Sequence, residues 1–225
     1  MTRVAVIIQP DYDVQAVRKH LEAAEIFSCR PGDTVFLKPN LLGAFPPETA
    51  VLTHPAVVEA AALVCKDLGA RLVIGDSPGA VSQDAALRKG GFTSLVKRLG
   101  ITIADTSCSA PLNGRFYPRL DLLAQPLEAD LLVNLPKVKT HAQMHLTLAI
   151  KNLFGLVPGL EKAQWHLRTG GDALPFARLL ADVAFAAASV PCVHVADGIV
   201  SMEGRGPSRG RPVSTGFIAA SASAL

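Results

Sequence analysis

Residues 134–155, NLPKVKTHAQMHLTLAIKNLFG, constrain the possible folds of this chain more than any other stretch. Lys137, Lys139, Lys151, His141, His145, Asn134 and Asn152 are interleaved there with Leu, Ile, Val and Phe. Burying that much charge is costly unless partners are supplied, and leaving that much aliphatic surface in water wastes its burial energy. A fold that accommodates both makes this stretch a wall of a site.

The rest of the composition narrows the class. A chain of 225 residues, 49% hydrophobic and 18% charged, buries a large core and is not a disordered segment. A formal charge of +3, with no aromatic platform beside the basic residues, argues against nucleic acid as a partner. Cys29, Cys65, Cys108 and Cys192 are scattered, with no Cys-x-x-Cys pair. That pattern excludes a zinc ribbon and a disulfide framework, and no iron–sulfur cluster is expected within the chain. The first apolar run is broken by Pro10 and reads as a strand rather than a signal peptide. The apolar stretch 174–190 contains Arg178 and Asp182 and is short for a bilayer, so a soluble cytoplasmic protein without membrane contact is expected.

Strand and helix patterns alternate along the chain. The β-branched run 4–8 predicts a strand buried on both faces, and 34–38, 71–75, 101–104, 130–134, 193–196 and 214–219 predict further strands. Helical spacing covers 13–27 (capped by Asp13), 55–68, 82–89, 92–99 and 174–188. Such alternation implies a three-layer α/β/α fold with a mostly parallel, Rossmann-like sheet. Residues 1–225 read as one domain, with lobes 1–105 and 127–225 joined by loop or hairpin 106–126 and sharing a rim site.

In open α/β sheets, ligands bind beyond the carboxyl ends of the strands. Lys38 and Asn40, Asp76 and Ser77, Asn134 with Lys137, Lys139 and His141, and Asp197 through Glu203 all fall at such ends. An extended 137–141 segment points its two lysines and His141 to one face, a pocket for an anion unless Asp and Glu neutralise it. His141 and His145, four apart, share a face if helical and become candidate ligands for a divalent metal together with Asp76 and Glu203. Lys151 and Asn152 read either as site residues or as the last turn of a helix ended by Gly155. His54–Pro55 reads as a helix start, His166 beside Trp165 as a surface pair, and the Gly-rich stretch 203–210 as a mobile flap.

The motifs KPNLL (38–42), THP (53–55), GDSP (75–78), NLPKVKTH (134–141), IKNLFGLVPG (150–159) and DGIVSMEGRGP (197–207) occur in the order found in one group. By them the chain resembles the domain of unknown function family 362 over nearly its full length. Members are often found with ferredoxin-like iron–sulfur modules, so the resemblance implies a ferredoxin-like partner. The family pattern continues past this C-terminus, which implies a truncated chain. A more distant likeness, at the level of fold, is to lactate-racemase-like proteins, whose α/β domain presents His and Lys to a nickel cofactor.

Two functional readings follow. The first is an enzyme for an anionic small molecule, with Lys139, His141, Asp76 and Glu203 as catalytic candidates. Lys38, Asn40, Ser77, Asn134, Lys137, Lys151 and Asn152 would then bind substrate. The second is a non-catalytic module that binds an anionic ligand or docks on a redox partner. A purely structural use of the lysines, paired with Asp and Glu to hold the two halves together, stands beside both. The oligomeric state is left open by the sequence.

Overall fold

The computed structural model describes residues 3–170 and 172–224; Met1, Thr2, Gly171 and Leu225, the last residue of the expected truncated end, lie outside them. Strands β1 (Val4–Ile8), β2 (Thr34–Pro39), β3 (Arg71–Ile74) and β4 (Thr102–Ile103) alternate with helices α1 (Val14–Ala23), α2 (Pro55–Asp67), α3 (Gln83–Lys89) and α4 (Thr93–Leu99). A ribbon of β5 (Ser109–Leu112) and β6 (Leu120–Leu123), then α5 (Ala124–Leu127), leads to β7 (Leu131–Leu135), β8 (Lys137–His141) and β9 (His145–Thr147). Helices α6 (Ala149–Leu153), α7 (Gly159–Arg168) and α8 (Ala173–Ala187) precede two long strands, β10 (Cys192–Arg205) and β11 (Arg209–Ser221).

The chain forms a mixed α/β fold around one large, mostly parallel sheet. Its order is β1-β11-β10-β7-β2-β3-β4. The β10–β7–β2–β3–β4 portion is parallel, while β11 pairs antiparallel with both β10 and β1. Side chains alternate across a strand, and β2 and β7 divide accordingly. Val35, Leu37, Leu131 and Val133 join α1 and α2 in one core, whereas Phe36 and Leu132 join α6, α7 and α8 in another. Asp13 caps α1 as expected, accepting hydrogen bonds from the Gln15 and Ala16 N–H groups. His54 caps α2 through its imidazole, ahead of Pro55.

Four expectations change. Strand β1 is an edge strand, with Val4, Val6 and Ile8 exposed rather than buried on both faces, because it lies at the end of the sheet beyond the helices. The two short strands expected near the C-terminus are far longer, 14 and 13 residues, since their paired backbones continue through Gly204 and Gly210. Residues 203–210 are therefore mostly a paired hairpin and not a free flap. The segment 137–147 is a second hairpin, β8–β9, in which His141 and His145 are cross-strand partners, so the helical spacing supposed for them does not arise.

Prolonging β7, β8 runs alongside β10 after a break at Pro136, whose carbonyl accepts the Asp197 N–H. This continuation carries the lysines of the 137–141 segment inward, past the carboxyl end of β7. Below it, α8 pins the β5–β6 ribbon through Asp182, which is 2% exposed and accepts the N–H groups of Arg115 at 2.8 Å and of Phe116 and Tyr117 at 2.9 Å. Replacing Asp182 by Ala strands those donors. We expect Asp182→Ala to lower unfolding stability by about 3 kcal/mol in urea titrations, with Asp182→Asn recovering part of the loss; an unchanged midpoint would contradict this role.

Candidate functional site

Strand β2 ends by burying Lys38 completely, and the turn after β3 brings Asp76 to meet it at 2.9 Å. The second Asp76 oxygen accepts the Leu41 N–H at 2.7 Å, and the first also accepts the Ser77 N–H at 3.0 Å. Burial alone would raise the Asp76 carboxyl, but the charges of Lys38 and Lys162 and the hydrogen bonds from Lys38 and the Leu41 N–H hold it below the usual carboxylate range. Gly155 is packed on this pair so closely that a Cβ there would overlap Asp76 Oδ1 and Lys38 Nζ. The glycine expected as a helix stop is thus required for contact with the ion pair.

A directional chain of amides crosses the sheet beside it. Lys139 Nζ donates to Asn40 Oδ1 at 2.8 Å and to the Val51 carbonyl at 2.6 Å. Asn40 Nδ2 donates to Asn152 Oδ1 at 2.9 Å, and Asn152 Nδ2 donates to Asn134 Oδ1 at 2.8 Å. Asn134 Nδ2 finally donates to Nδ1 of His194 at 2.9 Å, which makes that imidazole neutral with its proton on Nε2. The carbonyls of Lys38 and Ala149 accept from Asn152 and Asn134 and so fix which end of each amide faces which neighbour. Burial lowers His194 to about 4, in keeping with its acceptor role.

A second ion pair closes the other flank. Lys137 Nζ donates to Asp197 Oδ2 and to the Tyr12 hydroxyl, both at 2.8 Å, and Tyr12 donates to Asp197 Oδ1 at 3.1 Å. The His54 N–H also reaches Asp197, at 2.8 Å, while its ring stacks on Tyr12 at 3.6 Å. Burial and then the Asp197 charge raise the Tyr12 phenol. Lys137 is thereby neutralised within the protein, as the structural use of these lysines requires.

Over Asp76 opens a cleft of about 740 Å³ whose walls include Asn40, His141, Lys151, Lys162 and His166. Lys162 was not anticipated; it donates to the Ser77 carbonyl. Only its distance in sequence from the 134–155 segment hid it, since α7 returns to the rim. His166 stacks on Phe176 at 4.9 Å, and Trp165 is 4% exposed, so the supposed surface pair is a wall and a core residue. Burial, followed by the charges of Lys151 and Lys137, pulls Lys139 down to about 7. Lys151 falls to about 8 by burial and the Lys38 charge; Lys162 falls to about 7, chiefly by burial. His141 drops to about 4 through burial and the neighbouring Lys151 and Lys139 charges.

Not every candidate comes together. Ser77 lines the cleft beside Asp76, but Glu203 lies on β10 in an ion pair with Arg211 and is not among the lining residues. His145 is exposed at the start of β9. His141 Nδ1 accepts the N–H groups of Gln143 and Met144 at 3.2 Å, so one of its nitrogens is already used. With both Asp76 oxygens also engaged, the four metal-ligand candidates do not form a donor set for a protein-held ion, and no group of three or more His, Cys, Asp or Glu suited to one occurs among the described residues.

The architecture and this rim define an α/β protein with a polar cleft at the strand ends. The chain belongs to the family described as domain of unknown function (DUF362), whose model matches residues 35–225. It is 39% identical over 198 residues to the thylakoid-associated protein sll1697 of Synechocystis sp., covering 85% of this chain and 60% of that protein. The chain therefore spans about 60% of that relative's length. The lactate racemase apoprotein from Thermoanaerobacterium thermosaccharolyticum shares the fold with a TM-score of 0.55 at 11% identity, over 97% of this chain and 54% of that one. A Thermotoga maritima protein gives 0.54 at 10% identity, over 97% and 57% respectively. No helix among the described residues is long and apolar enough to cross a membrane.

Two measurements check this geometry. Lys139, Lys151 and Lys162 hold pKa values of about 7, 8 and 7 in the fold, against about 10.4 for an unfolded lysine. Between these limits the unfolded chain binds more protons, so stability rises with pH. Melting temperature should climb from pH 7 to pH 9, and Lys151→Met should flatten the climb; a fall over that range in the parent chain would refute the burial of these amines. Gly155→Ala should cost about 3 kcal/mol by driving α6 off the Lys38–Asp76 pair, read from denaturant midpoints.

Proposed function

We propose that this chain is the anion-binding part of a small-molecule enzyme, a three-layer α/β/α, Rossmann-like domain that takes its substrate at the carboxyl ends of the central strands. One observation carries the reading: Lys38, Lys139, Lys151 and Lys162 act electrostatically on one another around a rim where Asp76 is the only carboxylate among the described lining residues. Like charges held in a low-dielectric cleft repel, and a bound anion relieves that repulsion. Lys38 is already matched by Asp76, so Lys151 and Lys162 are the cations left to grip the ligand as point charges. Asn40 and Asn152, held by the amide chain, give the cleft a fixed polar floor.

Support for catalysis beyond binding comes from the lysines whose pKa lies near neutrality, the range in which an amine serves as acid or base. His141, neutral at physiological pH, supplies a second group for proton transfer. Lys137 belongs to the structural Asp197 cluster and Glu203 to the hairpin, so neither takes part in this reading.

Orthophosphate and small carboxylates, compared with chloride at equal ionic strength, should raise the melting temperature in a saturable way. A ligand at a hundred times its Kd adds about 2.7 kcal/mol. Lys162→Met should weaken binding about tenfold or more, the loss of one charge-assisted contact. Binding should be weaker at pH 9 than at pH 6.5, because Lys151 and Lys162, at about 8 and 7, give up their protons over that interval. Equal shifts for all salts, or affinity indifferent to Lys162, would remove the anion site. Binding without turnover of any carboxylate or phosphate tested would leave the non-catalytic module as the correct reading.

A further inference from the structure

The lysines of the rim, buried or half-buried, differ in what their amines touch. Lys38 is paired with Asp76, and Lys137 with Asp197 and Tyr12. Lys139 spends hydrogen bonds on Asn40 and the Val51 carbonyl and is 1% exposed, and Lys162 donates to the Ser77 carbonyl. Lys151 is the exception. Among the described residues its Nζ has no hydrogen-bond acceptor; it lies 5.1 Å from the Phe154 ring centre and 5.3 Å from that of Phe176, on the wall of the cleft.

We infer that Lys151 is a nucleophilic amine that forms an imine with a carbonyl compound bearing an anionic group, of which a 2-oxo acid is the simplest. The inference rests on the anion-site reading above and names the substrate class for it. An amine attacks only through a free lone pair, and desolvation beside other cations raises the fraction of a lysine that carries one. The groups acting on Lys151 are Lys38 on β2, Asp76 after β3, Lys139 and His141 on β8, and Lys162 and His166 on α7. Asp76 is the one anion in that set, and it is committed to Lys38, Leu41 and Ser77. The two phenyl faces favour the ammonium form somewhat, but burial and the Lys38 charge prevail and bring Lys151 to about 8.

The division of labour follows. Lys162, whose Nζ also lies 5.8 Å from the Phe154 ring centre, holds the anionic group, and the carbonyl carbon faces Lys151. The Lys151 lone pair adds to that carbon, the carbonyl oxygen takes one amine hydrogen, and a carbinolamine results. The hydroxyl then leaves as water with the second amine hydrogen, and a carbon–nitrogen double bond remains. His141, whose Nδ1 is occupied by the Gln143 and Met144 N–H groups, has Nε2 as its other nitrogen to pass the proton. Once protonated, the imine withdraws electrons from the adjacent carbon, the general use of such a bond in enzymes.

The test is to incubate the whole chain with pyruvate, reduce with cyanoborohydride and locate adducts by peptide mass spectrometry. A single dominant adduct on Lys151, suppressed by excess orthophosphate and absent from Lys151→Arg, is the expected result. No adduct, adducts spread evenly over surface lysines, or an unchanged yield in Lys151→Arg would each overturn the inference. Orthophosphate calorimetry on the same samples separates the two levels, since phosphate forms no imine. Phosphate binding without an adduct on the parent chain defeats the nucleophile alone; absence of both defeats the anion site as well. Mapping the parent chain needs no variant, so the outcome does not depend on how Lys151→Arg folds.

Discussion

Lys38 and Asp76 meet at 2.9 Å with 0% and 5% of their respective surfaces exposed, and the rim is arranged around that meeting. A buried charge without its partner costs several kcal/mol, so neither residue is free to move without the other. Lys38 is carried by β2 and Asp76 by the turn after β3, while Leu41 supplies an N–H from the loop beyond β2. Gly155 lets the end of α6 close on the pair. Elements from both halves of the chain are thus fixed on one ion pair, and the cleft lies directly over it.

The amide chain from Lys139 to His194 extends the same principle with neutral groups. Each asparagine donates in one direction and accepts from the other, and two backbone carbonyls set the sense of the chain. A network satisfied at every member is rigid, whereas a partly satisfied one is a liability. Lys139, Lys151 and Lys162, the rim lysines not paired with a carboxylate, sit along this scaffold with pKa values lowered to about 7, 8 and 7. Two of the lysines, Lys38 and Lys137, are matched by carboxylates and hold the rim, while Lys139, Lys151 and Lys162 meet only neutral acceptors or aromatic faces.

Much of this could be read in the sequence. The β2, β3 and β7 strands, the α2 and α8 helices and the placement of Lys38, Asn40, Asp76, Ser77, Asn134 and Lys139 at strand ends follow from hydrophobic periodicity and from where polar residues interrupt it. Lys162 was not legible, because it sits in a helix of ordinary amphipathic pattern and meets Ser77 only after the chain has turned back. Tyr12 and His54 were hidden for the same reason, as their shared partner Asp197 is far along the chain. Glu203 and His145 looked like site residues from local context, yet hairpin pairing turned them elsewhere.

The segment 134–155 shows where local pattern stops deciding. Its alternation of charged and apolar residues suggested, without any structure, a strand exit carrying Lys137, Lys139 and His141 on one face, followed by a helix. Which of them is neutralised was decided by tertiary contacts: Asp197 reaches Lys137, Asn40 reaches Lys139, and no acceptor among the described residues reaches Lys151. Period sets the face on which a side chain lies. Its charge state depends on which distant groups and how much water share that face, and those are properties of the folded chain alone.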